Sequence, residues 1–340
     1  MLGSYHYSKK LLAAGLLTLF SHQASAEEFL KMGTLAPGGT IYTITAGFAQ
    51  AVSKHVPDVE VQVNATGSAA QHMLAASKGE LDFFMSSTLL YHHMAKGTAM
   101  YATIEDAPQL AKNLRSIFNF PVGAWHALVY ADAGIKTYDD IKGKTVFLGP
   151  PSGGSTEFTQ AIVEGATGYV AGEDFDVAKM GFQAAQQAFQ DRRIDVLIFP
   201  SLVPGAFVQQ MTLTNSLRLL SLEEDDFAAE GIVAAMSAPG RTRETIAKSA
   251  YGDALANEGD VNSVGAWIGV GARADLSEEL VYVATKAFWD NIAELHAQGP
   301  AFQSITVQSG LREINMPLHP GALRYYEEQG LEISDAARGN

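Results

Sequence analysis

KMGTLAPGGT (Lys31 to Thr40) and TVFLGPPSGGST (Thr145 to Thr156) repeat one design within this chain of 340 residues. Each reads as a short apolar strand, a Pro/Gly turn, paired glycines and a hydroxyl residue that opens a helix. A second strand follows each of them at nearly the same distance: Asp82 lies 43 residues after the first glycine pair, and Asp195 lies 41 residues after the second. The match in residue type and spacing predicts two similar α/β lobes that face each other.

A glycine-rich turn that opens a helix leaves several backbone N–H groups unpaired and lets a ligand approach the main chain. Such helix ends attract anions, and the hydroxyl either caps the helix or donates to the ligand. Taken singly, each turn is equally typical of an ordinary capped helix. Their duplication favours a cleft that holds a small anion from both sides, with ligand contacts at Gly39, Thr40, Gly154, Ser155 and Thr156.

The N-terminus has the three parts of a secretory signal peptide. Lys9 and Lys10 precede an apolar run from Leu11 to Phe20, and Ala24-Ser25-Ala26 supplies the small residues of a cleavage site. The run is too short to span a bilayer as a stable helix. A buried amphipathic helix is the alternative, but the order of the parts predicts a leader over residues 1–26, a mature chain from Glu27 and a periplasmic protein.

The composition narrows the class of partner. The chain has a net charge of −14, and loss of the two leader lysines makes it −16. This charge argues against nucleic acid and anionic membrane surfaces as partners, and an anionic ligand must be attracted by local groups. The chain has no cysteine, so no disulfide supports the fold.

Strands and helices alternate in both halves, which predicts a mostly parallel sheet flanked by helices in each lobe. We expect residues 27–127 and 226–340 to form lobe 1 and residues 128–225 to form lobe 2, with hinge strands between them. Apolar residues at spacings of three and four predict one long helix from Ser277 to Gly299.

Ligands in open α/β sheets bind beyond the carboxyl ends of the strands. One predicted strand ends at Ser86, Ser87 and Thr88, and another ends at Pro200 and Ser201. We therefore expect these five residues to line the same ligand-binding cleft as the two glycine turns.

Three further side chains are candidate ligand contacts. Ser68 follows Gly67 on a turn, and its hydroxyl could donate to a ligand, although turn residues of this type are common. The phenols of Tyr42 and Tyr91 could reach the ligand or pack against the hinge.

Several of these segments together resemble the TAXI group of solute receptors, which serve tripartite ATP-independent periplasmic (TRAP) transporters. They are GTLAPGGTIY, NATGS, GELDFFMSS, GPPSGGST, QDRRIDVLIFPS and, as the most specific piece, PLHPGALRYYEEQG at Pro317 to Gly330. The resemblance implies a type II-like two-lobed periplasmic binding protein, a monomer, that closes on a small organic anion. It also implies the TRAP permease subunits as membrane partners.

One departure from that family bears on the ligand. Where related receptors usually have Gln-Ser-Asp, this chain has Ser86, Ser87 and Thr88. A carboxylate in a cleft suits an amino group, because a buried charge without a partner is costly. Its loss favours a dicarboxylate or a 2-oxo acid such as 2-oxoglutarate; a glutamate or glutamine receptor of the same family and an ABC-type receptor are the alternatives.

Enzymatic and metal-dependent functions find little support. The chain has neither a G-x-S-x-G elbow nor a P-loop lysine after its paired glycines. The enzymatic alternative is a secreted hydrolase with a serine arrangement that matches neither motif. His92 and His93 are adjacent and would project about 100° apart on a helix. The sequence predicts no catalytic residue, no metal site and no cofactor.

Overall fold

The computed structural model describes residues 1, 3, 28–37, 40–151 and 154–339. The predicted leader (1–26) and Gly39 lie outside the described residues, apart from residues 1 and 3. Gly154 is described as the first residue of a helix.

In the part of the chain that the structure describes, ten strands form one curled sheet. Their order is β2-β1-β3-β10-β4-β7-β5-β6, with β8 beside β4 and β9 beside β10. The strands are β1 (Glu28–Gly33), β2 (Val59–Asn64), β3 (Phe83–Ser87), β4 (Leu114–Tyr130), β5 (Thr145–Phe147), β6 (Asp176–Val177), β7 (Val196–Ser201), β8 (Leu217–Leu219), β9 (Arg241–Ile246) and β10 (Val261–Arg273).

The sheet has two parallel halves joined by two long strands. β1 pairs in parallel with β2 and β3, and β5 pairs in parallel with β6 and β7. β4 and β10 are antiparallel to each other and run through both halves, since β10 pairs with β3 near one end and with β9 near the other. The predicted fold is confirmed: α/β, two-lobed, with mostly parallel sheets and strands that cross between the lobes.

The duplication is visible at the level of single hydrogen bonds. The backbone N–H of Lys31 donates to the carboxylate of Asp82 at 2.8 Å, and that of Thr145 donates to the carboxylate of Asp195 at 2.8 Å. The N–H of each aspartate in turn donates to the carbonyl of the same partner residue at 2.9 Å. Each acidic residue therefore fixes the first strand of its half to the second in the same way.

Helices cover both faces of the sheet. They are α1 (Thr40–His55), α2 (Ala69–Ser77), α3 (Thr88–Lys96), α4 (Ala107–Leu110), α5 (Gly154–Thr167), α6 (Phe182–Gln190), α7 (Ala206–Thr212), α8 (Glu230–Met236), α9 (Glu278–Asp290), α10 (Ile292–His296), α11 (Pro320–Glu328) and α12 (Asp335–Arg338). Helices α1, α9 and α11 enclose one apolar core with β1, β3, β4 and β10, and α5 and α8 enclose another with β4, β5 and β7.

The prediction of one helix from Ser277 to Gly299 is wrong. α9 ends at Asp290, and Asn291 has φ −112° and ψ 19°, outside the helical range. Its side-chain amide donates to the carbonyl of Ala287 at 2.8 Å, a contact that competes with a continued helix. α10 then starts at Ile292. Among the described residues, no helix is long and apolar enough to cross a membrane.

Candidate ligand-binding site

The carboxyl end of β3 meets the start of β9 on the same side of β10. Ser87 pairs with Ile268, and Arg241 pairs with Ala266, so only Trp267 separates the two strands along β10. The N–H of Trp267 donates to the carbonyl of Gly240 at 2.8 Å and closes this junction. Arg241 therefore lies directly beyond the carboxyl end of a parallel strand, the place where α/β sheets bind ligands.

The structure places the predicted residues Ser86, Ser87 and Thr88 at this junction. Ser86 is buried and lies in register with Gly269 of β10. The hydroxyl of Ser87 caps α3 by accepting from the N–H of Leu90 at 3.4 Å. The hydroxyl of Thr88 is 3.1 Å from the carbonyl oxygens of both Pro239 and Trp267, to which it can donate. Two of these three hydroxyls thus already have internal partners.

Gly240 allows this close approach. Its φ is +77°, a conformation that disfavours side chains, and a Cβ at this position would collide with the hydroxyl of Thr88. The glycine therefore joins the end of β3 to the start of β9.

The start of α5 carries the second group of predicted residues. The hydroxyl oxygen of Ser155 is buried and has no hydrogen-bond partner among the described residues. The hydroxyl of Thr156 instead donates to the carbonyl of Pro150 at 2.6 Å and so closes the turn before the helix. In the part of the chain that the structure describes, Ser155 is thus the one hydroxyl residue of α5 whose side chain has no internal partner.

Arg241 lies against the first turns of α5. Its guanidinium carbon is 3.8 Å from the ring centre of Phe158 and 5.9 Å from that of Trp125. The indole N–H of Trp125 donates to the hydroxyl of Thr159 at 2.9 Å, which fixes this aromatic wall. Burial lowers the pKa of Arg241 to about 10, and no carboxylate among the described residues lies within 4 Å of it.

The end of β7 carries the predicted residues Pro200 and Ser201, which pair with Trp125 and Ala124 of β4. The hydroxyl of Ser201 donates to the carbonyl of Leu202 at 3.0 Å. Gly123 has φ +112°, and a Cβ there would collide with the backbone of Ser201. β4 and β7 therefore pack backbone to backbone beside the site.

A buried chain of hydrogen bonds connects the segment after β7 to β4 beside the site. The N–H of Gly205 donates to the hydroxyl of Tyr251 at 2.6 Å, so the Tyr251 proton points to Nε2 of His126 at 2.7 Å. Nδ1 of His126 then donates to the carbonyl of Ala124 at 2.8 Å. Burial lowers the pKa of His126 to about 4, which keeps the ring neutral and this chain intact at neutral pH.

A model of the NMT1-like family matches residues 32–330, which include all the residues of this junction. The chain belongs to the NMT1-like family.

Solved structures similar to this NMT1-like protein include solute-binding proteins. They are the periplasmic aliphatic sulphonate binding protein SsuA of Escherichia coli (15% identity, TM-score 0.45, covering 92% of this chain and 91% of that chain), a TRAP periplasmic solute binding protein of Sulfitobacter sp. NAS-14.1 with bound β-D-galacturonate (11%, 0.42, 90% and 88%), and a binding protein component of an ABC phosphonate transporter of Pseudomonas aeruginosa (12%, 0.47, 82% and 80%).

The remaining predicted contacts of the NMT1-like chain lie on helices α1 and α3 and at the start of α2. Thr40 is the first residue of α1, and Tyr42 is half-buried in its first turn. Tyr91 is half-buried on α3, and burial raises its pKa. Ser68 is exposed and forms a capping box with Gln71 at the start of α2. It adjoins an open cavity of about 680 Å³ on the first half of the sheet, lined by residues that include Lys31, Gln62 and His72, away from the β3–β9 junction.

Sequence reasoning missed Arg241 as a candidate. It follows Pro239 and Gly240 and begins the segment RTRETI, whose alternation is typical of a solvated strand. Nothing in that pattern distinguishes Arg241 from Arg243 two residues later. Only the pairing of β9 with β10 brings Arg241 to the end of β3. In the described part of the chain, no group of three or more His, Cys, Asp or Glu residues could hold a metal ion.

Proposed function

We propose that this NMT1-like protein is a periplasmic receptor of a TRAP transporter. It captures a small organic anion, a dicarboxylate or a 2-oxo acid such as 2-oxoglutarate, and delivers it to the membrane permease. Binding is its whole activity, without chemical change of the ligand.

The observation that carries this proposal is the buried hydroxyl of Ser155, which has no partner among the described residues, in the first turn of α5. An unpaired buried polar group costs about 1–3 kcal/mol, so the arrangement favours a ligand that accepts this hydrogen bond. The first turn of a helix favours negative charge because its N–H groups have no acceptor within the helix and point beyond its N-terminus. An anionic oxygen suits both groups.

The end of β3 supports a ligand without an ammonium group. Ser86, Ser87 and Thr88 carry no carboxylate where related TAXI receptors usually have Gln-Ser-Asp, and the hydroxyls of Ser87 and Thr88 already have internal partners. An ammonium taken from water into such a site would lack a carboxylate partner. A keto or carboxylate group instead suits hydroxyl and backbone N–H donors.

The location and the transporter type rest on the sequence. The leader over residues 1–26 supports export to the periplasm, and the TAXI-like segments favour TRAP permease subunits over an ABC transporter as partners. N-terminal sequencing of the exported protein should begin at Glu27. An ATPase encoded beside this gene, with no large multi-span permease, would instead favour the ABC alternative.

Titration calorimetry with 2-oxoglutarate and L-glutamate tests the ligand class, because the two differ only in the keto and amino groups at one carbon. We expect 2-oxoglutarate or a C4 to C6 dicarboxylate to bind, and the amino analogue to bind at least tenfold more weakly. Tight binding of glutamate with no response to any of the diacids would contradict the proposed ligand class and support an amino-acid receptor.

A further inference from the structure

Strand β9 carries two arginines, each against a phenylalanine ring, that differ in their partners and in their exposure to water. The guanidinium of Arg243 lies 3.7 Å from the ring centre of Phe227 and forms an ion pair with Glu224 at 3.2 Å. The guanidinium of Arg241 lies 3.8 Å from the ring centre of Phe158, but no carboxylate among the described residues pairs with it. Arg243 therefore serves as an internal reference for a stacked arginine with a partner.

Removing the guanidinium of Arg241 from water also costs more free energy than removing that of Arg243. Burial lowers the pKa of Arg241, whereas about half of the Arg243 side chain is exposed to water. Burial of a charge without a counter-charge is unfavourable, and stacking on a phenyl ring returns only about 0.5–2 kcal/mol. A purely structural residue at this position would not need the charge.

The stacking leaves the binding groups of Arg241 available. A guanidinium stacked on a ring uses its face, while its N–H donors lie in the plane and point outwards from its edge. Phe158 and Ser155 are three residues apart on α5 and so share one side of that helix. Arg241 thus packs on the side of α5 that also carries the unpartnered hydroxyl of Ser155, and it lies beyond the end of β3.

We infer that Arg241 is the cation that binds and neutralises the anionic group of the ligand, with its N–H fork on two oxygens of a carboxylate or similar oxyanion. This inference rests on the proposed function and names the residue that selects for negative charge. The fork geometry makes lysine an incomplete substitute. Neutral solutes of the same size leave the buried charge uncompensated and are rejected.

The test compares Arg241→Met with Arg243→Met, because both changes remove a cation stacked on phenylalanine from the same strand. Without ligand, Arg241→Met should unfold at the same temperature as the wild type or higher, since it removes a buried unpaired charge. Arg243→Met should unfold at the same temperature or lower. Arg241→Lys checks whether charge alone is sufficient.

Binding is then measured with two kinds of probe at constant ionic strength: millimolar sodium sulfate against sodium chloride, and sodium 2-oxoglutarate. Both probes should raise the unfolding temperature of the wild type and of Arg243→Met. For Arg241→Met the shift should disappear, with a Kd for 2-oxoglutarate about 10- to 100-fold higher, and Arg241→Lys should lie between.

Two results separate this inference from the proposed function. If sulfate acts through Arg241 but no organic anion binds, the anion site stands and the proposed ligand class falls. If organic anions bind equally well to the wild type and to Arg241→Met, the receptor function stands and the role of Arg241 is refuted. A loss of stability in Arg241→Met that exceeds the loss in Arg243→Met, with unchanged anion shifts, would show that Arg241 is structural.

Discussion

Ser155 and Thr156 are adjacent hydroxyl residues of α5, and their surroundings give them different roles. Thr156 donates to Pro150 and stabilises the turn, while the hydroxyl of Ser155 is buried without a partner among the described residues. The sequence predicted both as ligand contacts because the glycine turn before them is typical of anion sites. It could not separate them, because the difference depends on the path of the chain at Pro150.

We expect Ser155→Ala to leave the stability of the ligand-free protein unchanged or slightly higher, since it removes an unpaired buried hydroxyl. The same change should weaken binding of the anion by about 1–2 kcal/mol, or roughly 5- to 30-fold in Kd. Thermal unfolding without ligand and calorimetry with 2-oxoglutarate measure the two effects. A less stable variant with unchanged affinity would assign Ser155 to the fold.

Because His126 is buried and neutral, we expect the folded protein to lose stability in acid. Burial lowers its pKa from 6.5 to about 4, so between these values the unfolded chain binds more protons than the folded one. The free energy of unfolding therefore falls as the pH falls through this window, by up to about 3 kcal/mol for this residue. Urea unfolding at pH 7.5 and pH 4.5 measures the loss, which should be smaller in His126→Gln. His319, whose pKa burial also lowers, remains in both proteins. Equal losses in the two proteins would exclude His126 as the cause.

At the scale of elements, the sequence predicted those parts of the fold that local patterns determine. The strands around Asp82 and Asp195 follow from residue type and spacing, and the structure confirms them as β3 and β7. Residues 114–130 include Pro121 and Gly123, which interrupt the apolar pattern of a strand. The structure has one strand, β4, in which a register shift against β10 at Ala266 and Trp267 absorbs the interruption.

Gly123 lies at this shift, where β4 passes from one half of the sheet to the other. Gly123→Ala should lower the free energy of unfolding by about 2–4 kcal/mol, because alanine is strained at φ +112° and its Cβ collides with the backbone of Ser201. Gly134→Ala is the control, since φ is +75° there but no atom lies within 4 Å of the added Cβ. It should cost about 1 kcal/mol. Urea unfolding of both variants checks the difference, and similar losses would show that only the backbone angle matters.

At the scale of the whole molecule, the last of the segments that resemble TAXI receptors has a structural role. In the segment Pro317 to Gly330, Tyr326 is fully buried, and its hydroxyl accepts from the indole of Trp289 at 2.9 Å and donates to the carbonyl of Ile117 on β4 at 3.0 Å. The segment therefore fixes α11 to a crossing strand. Its hydrogen bonds in the described part of the chain do not reach the β3–β9 junction, so this segment gives no indication of the ligand.

The predicted lobe boundaries remain a prediction, and the contacts refine it. α8 packs against α5, and β9 extends the half of the sheet that contains β7, although both elements follow residue 226. These contacts favour a return to the first lobe within β10, near Trp267. Arg241 and Ser155 would then belong to the second lobe, and Ser86 and Thr88 to the first.

A ligand held between these groups would contact both lobes only when they are close together, so binding should shift the protein towards a closed form. Small-angle X-ray scattering should give a smaller radius of gyration for the wild type with saturating 2-oxoglutarate than without it. Arg241→Met at the same ligand concentration should keep the ligand-free radius, because it lacks the cation that draws the anion to the second lobe. Binding by calorimetry without a change in radius would place the ligand within one lobe, and a membrane partner would then have no closed form to recognise.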